Sequence, residues 1–250
     1  MSNFGSARHV TRMTIHDAEH YTDEERQAII NAYPEHEREA RVMGVPSMGS
    51  GRVFPVAEEQ IVVDPFPIPK HWPQGVGIDF GWDHPTAGAR LAWDRDTDTL
   101  YVIAEYAQRE QTPVVHAAAF KAWGDWLPVF WPHDGLQHDK GSGVSLAEQY
   151  REQGLLMADE KATFEDGSYG LEAGVMEMLD RMKTNRWKVF KNCGRWLAEY
   201  RLYHREEGLI KPIRDDVLCA SRYACMMRRE FITEPDGMAD ALFVDYGTIA

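Results

Sequence analysis

Four carboxylates stand out in this chain for where the sequence places them. Asp79 closes an apolar run, Gly75-Val76-Gly77-Ile78, that reads as a buried strand, and a glycine-containing turn follows it. Asp134 closes a second apolar run, Val129-Phe130-Trp131. Asp215 and Asp216 open the last helical stretch. An acid at the end of a buried strand is costly unless something compensates its charge. Lys or Arg can do so, and so can a hard divalent cation, which takes carboxylate and water oxygens as ligands. Two adjacent strands bringing Asp79 and Asp134 together would suit Mg²⁺ or Mn²⁺, two ions per site, activating water and stabilising the leaving oxygen in phosphodiester hydrolysis. Strand-end acids also serve as caps and turn formers.

The last helix separates its two acids by rotation. Val217, Ala220, Ser221 and Ala224 form a stripe of small residues suited to packing on a sheet. At about 100° per residue Asp216 lies at the edge of that stripe, and Asp215 points away from it with Arg222, Met226 and Arg229. The reading therefore expects Asp79, Asp134 and Asp216 as catalytic ligands and Asp215 as a further metal-side acid or a helix cap. Nearby, His84 and Asp83 lie close enough to assist. His133 reads as a supporting, DNA-contacting or plain turn residue, and Glu105 sits on a central strand of undetermined facing.

The elements that must hold these groups follow from punctuation and periodicity. Residues 1–73 read as a lead-in: Thr22-Asp23-Glu24-Glu25 is a capping box for a short helix ended by Pro34. A second helical stretch runs from Glu35 to Val42, and a Gly- and Pro-rich extended linker follows. Residues 74–250 read as the compact domain. Strands are expected at Gly75–Asp79, Ala87–Trp93, Leu100–Tyr106, Leu127–Trp131 and Leu155–Ala158. Helices are expected at Pro113–Trp123, Ser145–Gln153, Leu171–Lys183, Gly194–His204 and Asp215–Arg229. Three hairpin-joined strands followed by alternating helix and strand predict a mixed α/β sheet flanked by helices.

Bulk composition is that of an ordinary globular chain: 250 residues, 44% hydrophobic and 27% charged. No apolar run is long enough for a membrane span, and three cysteines without a CxxC pair suit a reducing cytosol. The net charge of −13 argues against nucleic acid until its distribution is read. Arg181 to Arg229 holds 13 Lys/Arg against 5 Asp/Glu, and the remainder holds 14 against 35. The basic stretch, with Lys188, Lys191 and Arg195, is the candidate DNA surface, joined by Lys140 and Arg151 around the turn after Asp134. Trp187 and Trp196 could stack on sugars or bases, or simply fill a core. No groove-reading motif is present, so backbone contact with little sequence preference is expected.

At this level of detail the chain resembles the large subunits of tailed-phage terminases. The resemblance rests on GIDFGWDHPTA (Gly77 to Ala87), VFWPHDG (Val129 to Gly135), GSGVSLAEQYREQGL (Gly141 to Leu155) and RDDVLCASRYACM (Arg214 to Met226). YPEHEREARVMGVPSMGSGRVFP (Tyr33 to Pro55) resembles the segment that precedes the nuclease in that family. It implies an RNase H-like nuclease domain with Asp79, Asp134 and the Asp215-Asp216 pair at the metal. It also implies double-stranded viral DNA as substrate, an ATPase motor domain, a small terminase subunit and a portal as partners, and the host cytoplasm as setting. Two departures matter. Many members carry another acid where this chain has Cys219, which favours Asp216 as third ligand. No GxxxxGK[ST] phosphate loop occurs, so the chain reads as a separate domain or fragment without the motor half. The rival readings are another RNase H-like enzyme, such as a junction resolvase or transposase core, and a non-catalytic DNA-binding packaging module.

Overall fold

A computed structural model describes residues 14–15, 21–32, 51–138, 143–206 and 208–235. The helix expected at 35–42 and the DNA-contact candidate Lys140 lie outside the described residues. The chain divides into two compact units, residues 1–55 with 202–213, and residues 56–201 with 214–250. In the first unit, helix α1 (Asp23–Ala32) starts at the expected capping box: Thr22 Oγ1 accepts from Glu25 N–H at 3.3 Å and Glu25 Oε2 accepts from Thr22 N–H at 2.9 Å.

The second unit is built on a seven-stranded mixed sheet. Its strands in chain order are β1 (Val62–Val63), β2 (Gln74–Asp79), β3 (Thr86–Asp94), β4 (Thr99–Gln108), β5 (Pro128–Phe130), β6 (Leu156–Met157) and β7 (Trp187–Phe190). Across the sheet they run β1-β7-β4-β3-β2-β5-β6. The β2-β3-β4 meander is antiparallel, and every other pairing is parallel. This is the mixed sheet expected from the order of elements. The helices are α2 (Glu58–Ile61), α3 (Pro113–Lys121), α4 (Leu146–Glu152), α5 (Leu171–Lys183), α6 (Gly194–Leu202) and α7 (Asp216–Met226). The last residue of α6, Leu202, belongs to the first unit. There β8 (Arg205–Glu206) and β9 (Leu209–Ile210) pair as a two-stranded antiparallel ladder.

Two features depart from the sequence expectation. Residues 56–73, assigned by composition to the lead-in and linker, belong to the same compact unit as the sheet, because α2 and β1 pack on it. Trp187–Phe190 is a strand between β4 and β1, with Leu100 paired to Trp187 and Val62 to Val189. Its four residues carry no period-2 signature that a window could detect, and its pairing partners lie more than 80 residues away in β4 and over 100 in β1.

Alternation along β2 decides what faces the site. Val76 and Ile78 point into an apolar cluster with Phe120 of α3 and Tyr150 of α4. Gly77 points the other way, onto α7, so closely that a Cβ there would stand 1.8 Å from the Ala220 carbonyl oxygen. Val217, Ala220, Ser221 and Ala224 are all fully buried, as the small-residue stripe predicts. Asp79, two residues beyond Gly77, shares the α7 face. Tight glycine-on-alanine packing thus carries the start of α7 to the end of β2.

Candidate active site

Three elements converge at the carboxyl ends of β2 and β5. Val76 pairs with Val129 and Gly77 with Phe130, so these parallel strands end side by side. Asp79 closes β2, and Asp134 sits on a 3-10 turn, His133–Leu136, directly after β5. Asp215 occupies the N-cap position of α7 and Asp216 its first helical residue. Asp134 is exposed, Asp79 and Asp215 are partly buried, and Asp216 is buried at 8% exposure.

The other three acids act on Asp79. Burial, then the charge of Asp216, then those of Asp215 and Asp134, push the Asp79 carboxyl from an ordinary 3.8 up to about 8, with the Arg222 guanidinium opposing them. Asp215 is raised by burial and by Asp216. Asp216 is raised by burial, against the lowering charges of Arg195, His84 and Arg109. Among the described residues, no three His, Cys, Asp or Glu side chains are gathered at the spacing of a single metal ion. The acids form an electrostatic cluster, with an excess of negative charge that a cation would relieve.

Supporting contacts fix α7 in place. Glu199 on α6 accepts the N–H groups of Val217 at 2.8 Å and Leu218 at 3.1 Å, closing the free donors at the helix start. Burial pushes this carboxyl up to about 7. Arg195 donates to Glu199 Oε1 at 3.2 Å, and its Nη2 stands 3.6 Å from Asp216 Oδ2. Trp196 Nε1–H donates to Ser221 Oγ at 2.9 Å. Glu105 in turn accepts from Arg195 N–H at 2.9 Å and Trp196 N–H at 2.7 Å. Glu105 therefore anchors α6 and positions the site at one remove. Glu199, Arg222 and Arg109 were not singled out in the sequence. A Glu that caps another helix has no local signature, and rotation had set Arg222 opposite the small-residue stripe.

Rotation set Asp215 and Arg222 opposite the small-residue stripe of α7, and both nevertheless act on Asp79. Asp215 has φ −123° and ψ 17°, outside the helical geometry, so a 100° step does not apply to it. Cys219, at the position where an acid was expected, donates its S–H to Asp215 Oδ2 at 3.6 Å. Burial and the charges of Asp79 and Asp215 hold that thiol well above its ordinary range, so it stays a neutral donor.

The basic candidates fare unequally. Arg195 joins the cluster. Arg151 pairs with Glu148 and donates to the Ala158 carbonyl at 3.2 Å, pinning α4 to the end of β6. Lys188 donates to the Gln60 carbonyl at 2.7 Å, and Lys191 pairs with Asp64. These two lie at the β7–β1 edge, three strand steps from β2, or roughly 14 Å. Trp187 and Trp196 are fully buried core residues. His133 takes a contact from Lys161 Nζ at 3.0 Å and stacks on Tyr169 with centroids 5.9 Å apart. No described helix is long and apolar enough to cross a membrane.

A mixed sheet of this order, with acids at the ends of its first and fourth central strands and at the start of its last helix, defines an RNase H-like domain. The chain belongs to the terminase RNase H-like domain family, whose model matches residues 76–228. A second model, for the N-terminal part of the T4likevirus-type terminase large subunit, matches residues 2–61. The terminase large subunit of Salmonella phage P22 is 48% identical over 230 residues, 92% of this chain and 46% of that protein. The chain thus spans about half the length of the curated relatives it matches in P22 and Enterobacteria phage LP7. The P22 large terminase nuclease domain superposes with a TM-score of 0.70 at 45% identity, over 75% of this chain and 97% of that one. The cobalt-bound large terminase nuclease of thermophilic phage G20c shares the fold, with a TM-score of 0.50 at 16% identity over 72% and 98% of the two chains.

Proposed function

We propose that this chain is a divalent-metal-dependent endodeoxyribonuclease that cuts concatemeric double-stranded viral DNA during genome packaging, using two Mg²⁺ or Mn²⁺ ions. The observation that carries the reading is the convergence of Asp79, Asp134 and the Asp215-Asp216 start of α7 at the carboxyl ends of β2 and β5. The Asp79 carboxyl, held near 8 by burial and three neighbouring acids, is where an oxygen-ligated cation is most favoured. Asp79, Asp134 and Asp216 would hold the ions, with Asp215 beside them. When bound, the metal supplies Lewis-acid neutralisation of charge on the phosphodiester and eases ionisation of the attacking water. Glu199 fixes the start of α7, so Asp216 is presented from a capped helix. Arg195 and Arg222 offset part of the acid charge and steady it while metal is absent. The large terminase nuclease of phage G20c binds cobalt, in keeping with this chemistry.

The family assignment sets the chain with terminases rather than with the resolvases and transposases of the same fold. An ATPase motor domain, a small terminase subunit and a portal are the proposed partners, and the host cytoplasm the proposed setting. A non-catalytic packaging module is the second reading, favoured by Cys219 in place of an acid and by the ungathered carboxylates. Supercoiled plasmid separates the two. Nicking and linearisation with Mg²⁺ or Mn²⁺, abolished by EDTA and by Asp79→Asn, supports the nuclease. DNA binding without cutting under any metal condition supports the module.

A further inference from the structure

Beside the carboxylates lies a cavity of about 450 Å³ for which the proposed hydrolysis has no use. The turn after β2, the start of α3 and residues of α4 line it, it opens to solvent, and Asp134 stands in its wall. An occupant therefore lies next to the cluster itself. Its lining is close to neutral: no Lys, Arg or His contributes among the described residues, and Asp134 is the one carboxylate. Gln111, Gln137 and Gln149 supply amides, each with both donor and acceptor capacity. Gln149 Nε2 donates to the Val144 carbonyl at 3.4 Å, leaving its side-chain oxygen to accept. Tyr150 adds a buried ring whose hydroxyl, pushed up to about 12 chiefly by burial, stays neutral. Trp82, three residues beyond Asp79, lines the same cavity with 59% of its surface in water. An indole this exposed at a site's edge lacks the packing that usually explains a tryptophan.

Such a lining offers no cation to a phosphate and suits a neutral, planar heterocycle with hydrogen-bonding edges. We propose that the cavity receives one nucleobase of the strand being cut, turned out of the duplex, with Trp82 stacking on its face and the glutamine amides meeting its edge. The inference rests on the nuclease reading and deepens it. Unstacking a paired base costs a few kcal/mol, and least where the base is already unpaired or mismatched. Binding and cutting therefore favour sites where a base is extrahelical, a selectivity that backbone contacts alone do not provide.

The test uses short duplexes carrying one bulged 2-aminopurine, the same bulge with an abasic residue, and a fully paired control. Binding is measured in EDTA and again in Ca²⁺. The parent protein should quench the 2-aminopurine and bind that duplex about ten-fold more tightly than the other two, in keeping with one base–aromatic stack. Trp82→Ala should lose both the quenching and the preference. Gln149→Leu should keep the quenching and lose part of the preference. Equal affinity of the parent for all three duplexes overturns the base pocket, as does full quenching in Trp82→Ala. Plasmid cleavage in the same preparations keeps the two readings apart. Metal-dependent cutting without base preference removes the pocket alone, whereas failure to bind any of the duplexes together with failure to cut removes both.

Discussion

Asp79→Asn isolates the charge on which the site is built. In the unfolded chain Asp79 releases its proton near 3.8, and in the metal-free fold near 8. Between these values the folded state binds more proton than the unfolded state, so its stability falls as pH rises. At pH 7 the gap from 3.8 is a little over three pH steps, and at 1.36 kcal/mol for each the fold bears a cost of about 4 kcal/mol. That is an upper figure, because carboxylates that move apart relieve part of it. Asparagine has no proton to gain and escapes the cost. Urea unfolding in EDTA, run from pH 4 to pH 8 on both proteins, should show the variant gaining on the parent by about 4 kcal/mol between pH 4 and pH 7. Mn²⁺ should then reverse the order: at a hundred times its dissociation constant it stabilises the parent by about 2.7 kcal/mol, and the variant by much less. A stability difference that stays flat from pH 4 to pH 8 would refute the argument, since Asp79 would then ionise as an ordinary aspartate. Equal stabilisation of both proteins by Mn²⁺ would remove Asp79 from the metal.

Other outcomes follow from the same geometry. Asp134→Asn and Asp216→Asn should abolish plasmid cleavage, and Asp215→Asn should retain more activity than Asp216→Asn. The reverse order in a nicking assay would move the ligand to the cap position. Gly77→Ala should cost about 3 kcal/mol in chemical unfolding, because its Cβ lands 1.8 Å from the Ala220 carbonyl and α7 must shift; an unchanged midpoint would mean that helix and sheet separate freely. Arg181 is buried, with Asp98 and Glu177 as partners, so Arg181→Ala should destabilise by about 3–5 kcal/mol and Arg181→Met by less. Charge reversal at Lys188 and Lys191 should leave DNA affinity within about two-fold in a salt titration, because both already have partners at the far sheet edge. A large loss would place DNA on that edge.

Much of the frame was readable from local pattern. The capping box at Thr22, the apolar run ending at Asp79 and the small-residue stripe of α7 each encode a short-range preference, and each stands where expected. The positions of Asp79, Asp134 and Asp216 at element ends were legible for the same reason. Pairing across large sequence distances was not. β1 and β7 are short and gain their hydrogen bonds only from distant strands, so the stretch holding β1 passed for linker and the one holding β7 for basic surface. The fate of charges was equally hidden. Composition counts cations, but only the tertiary fold sets Lys191 against Asp64 and Arg195 against Asp216, since an ion pair depends on distance in space. Asp216 opens α7 and is buried, whereas the 100° step does not extend to Asp215, whose backbone lies outside the helix. The sequence by itself determined which carboxylates lie at the ends of buried elements. The fold decided that Asp134, Asp215 and Asp216 all act on Asp79, because glycine packed on alanine draws α7 against β2.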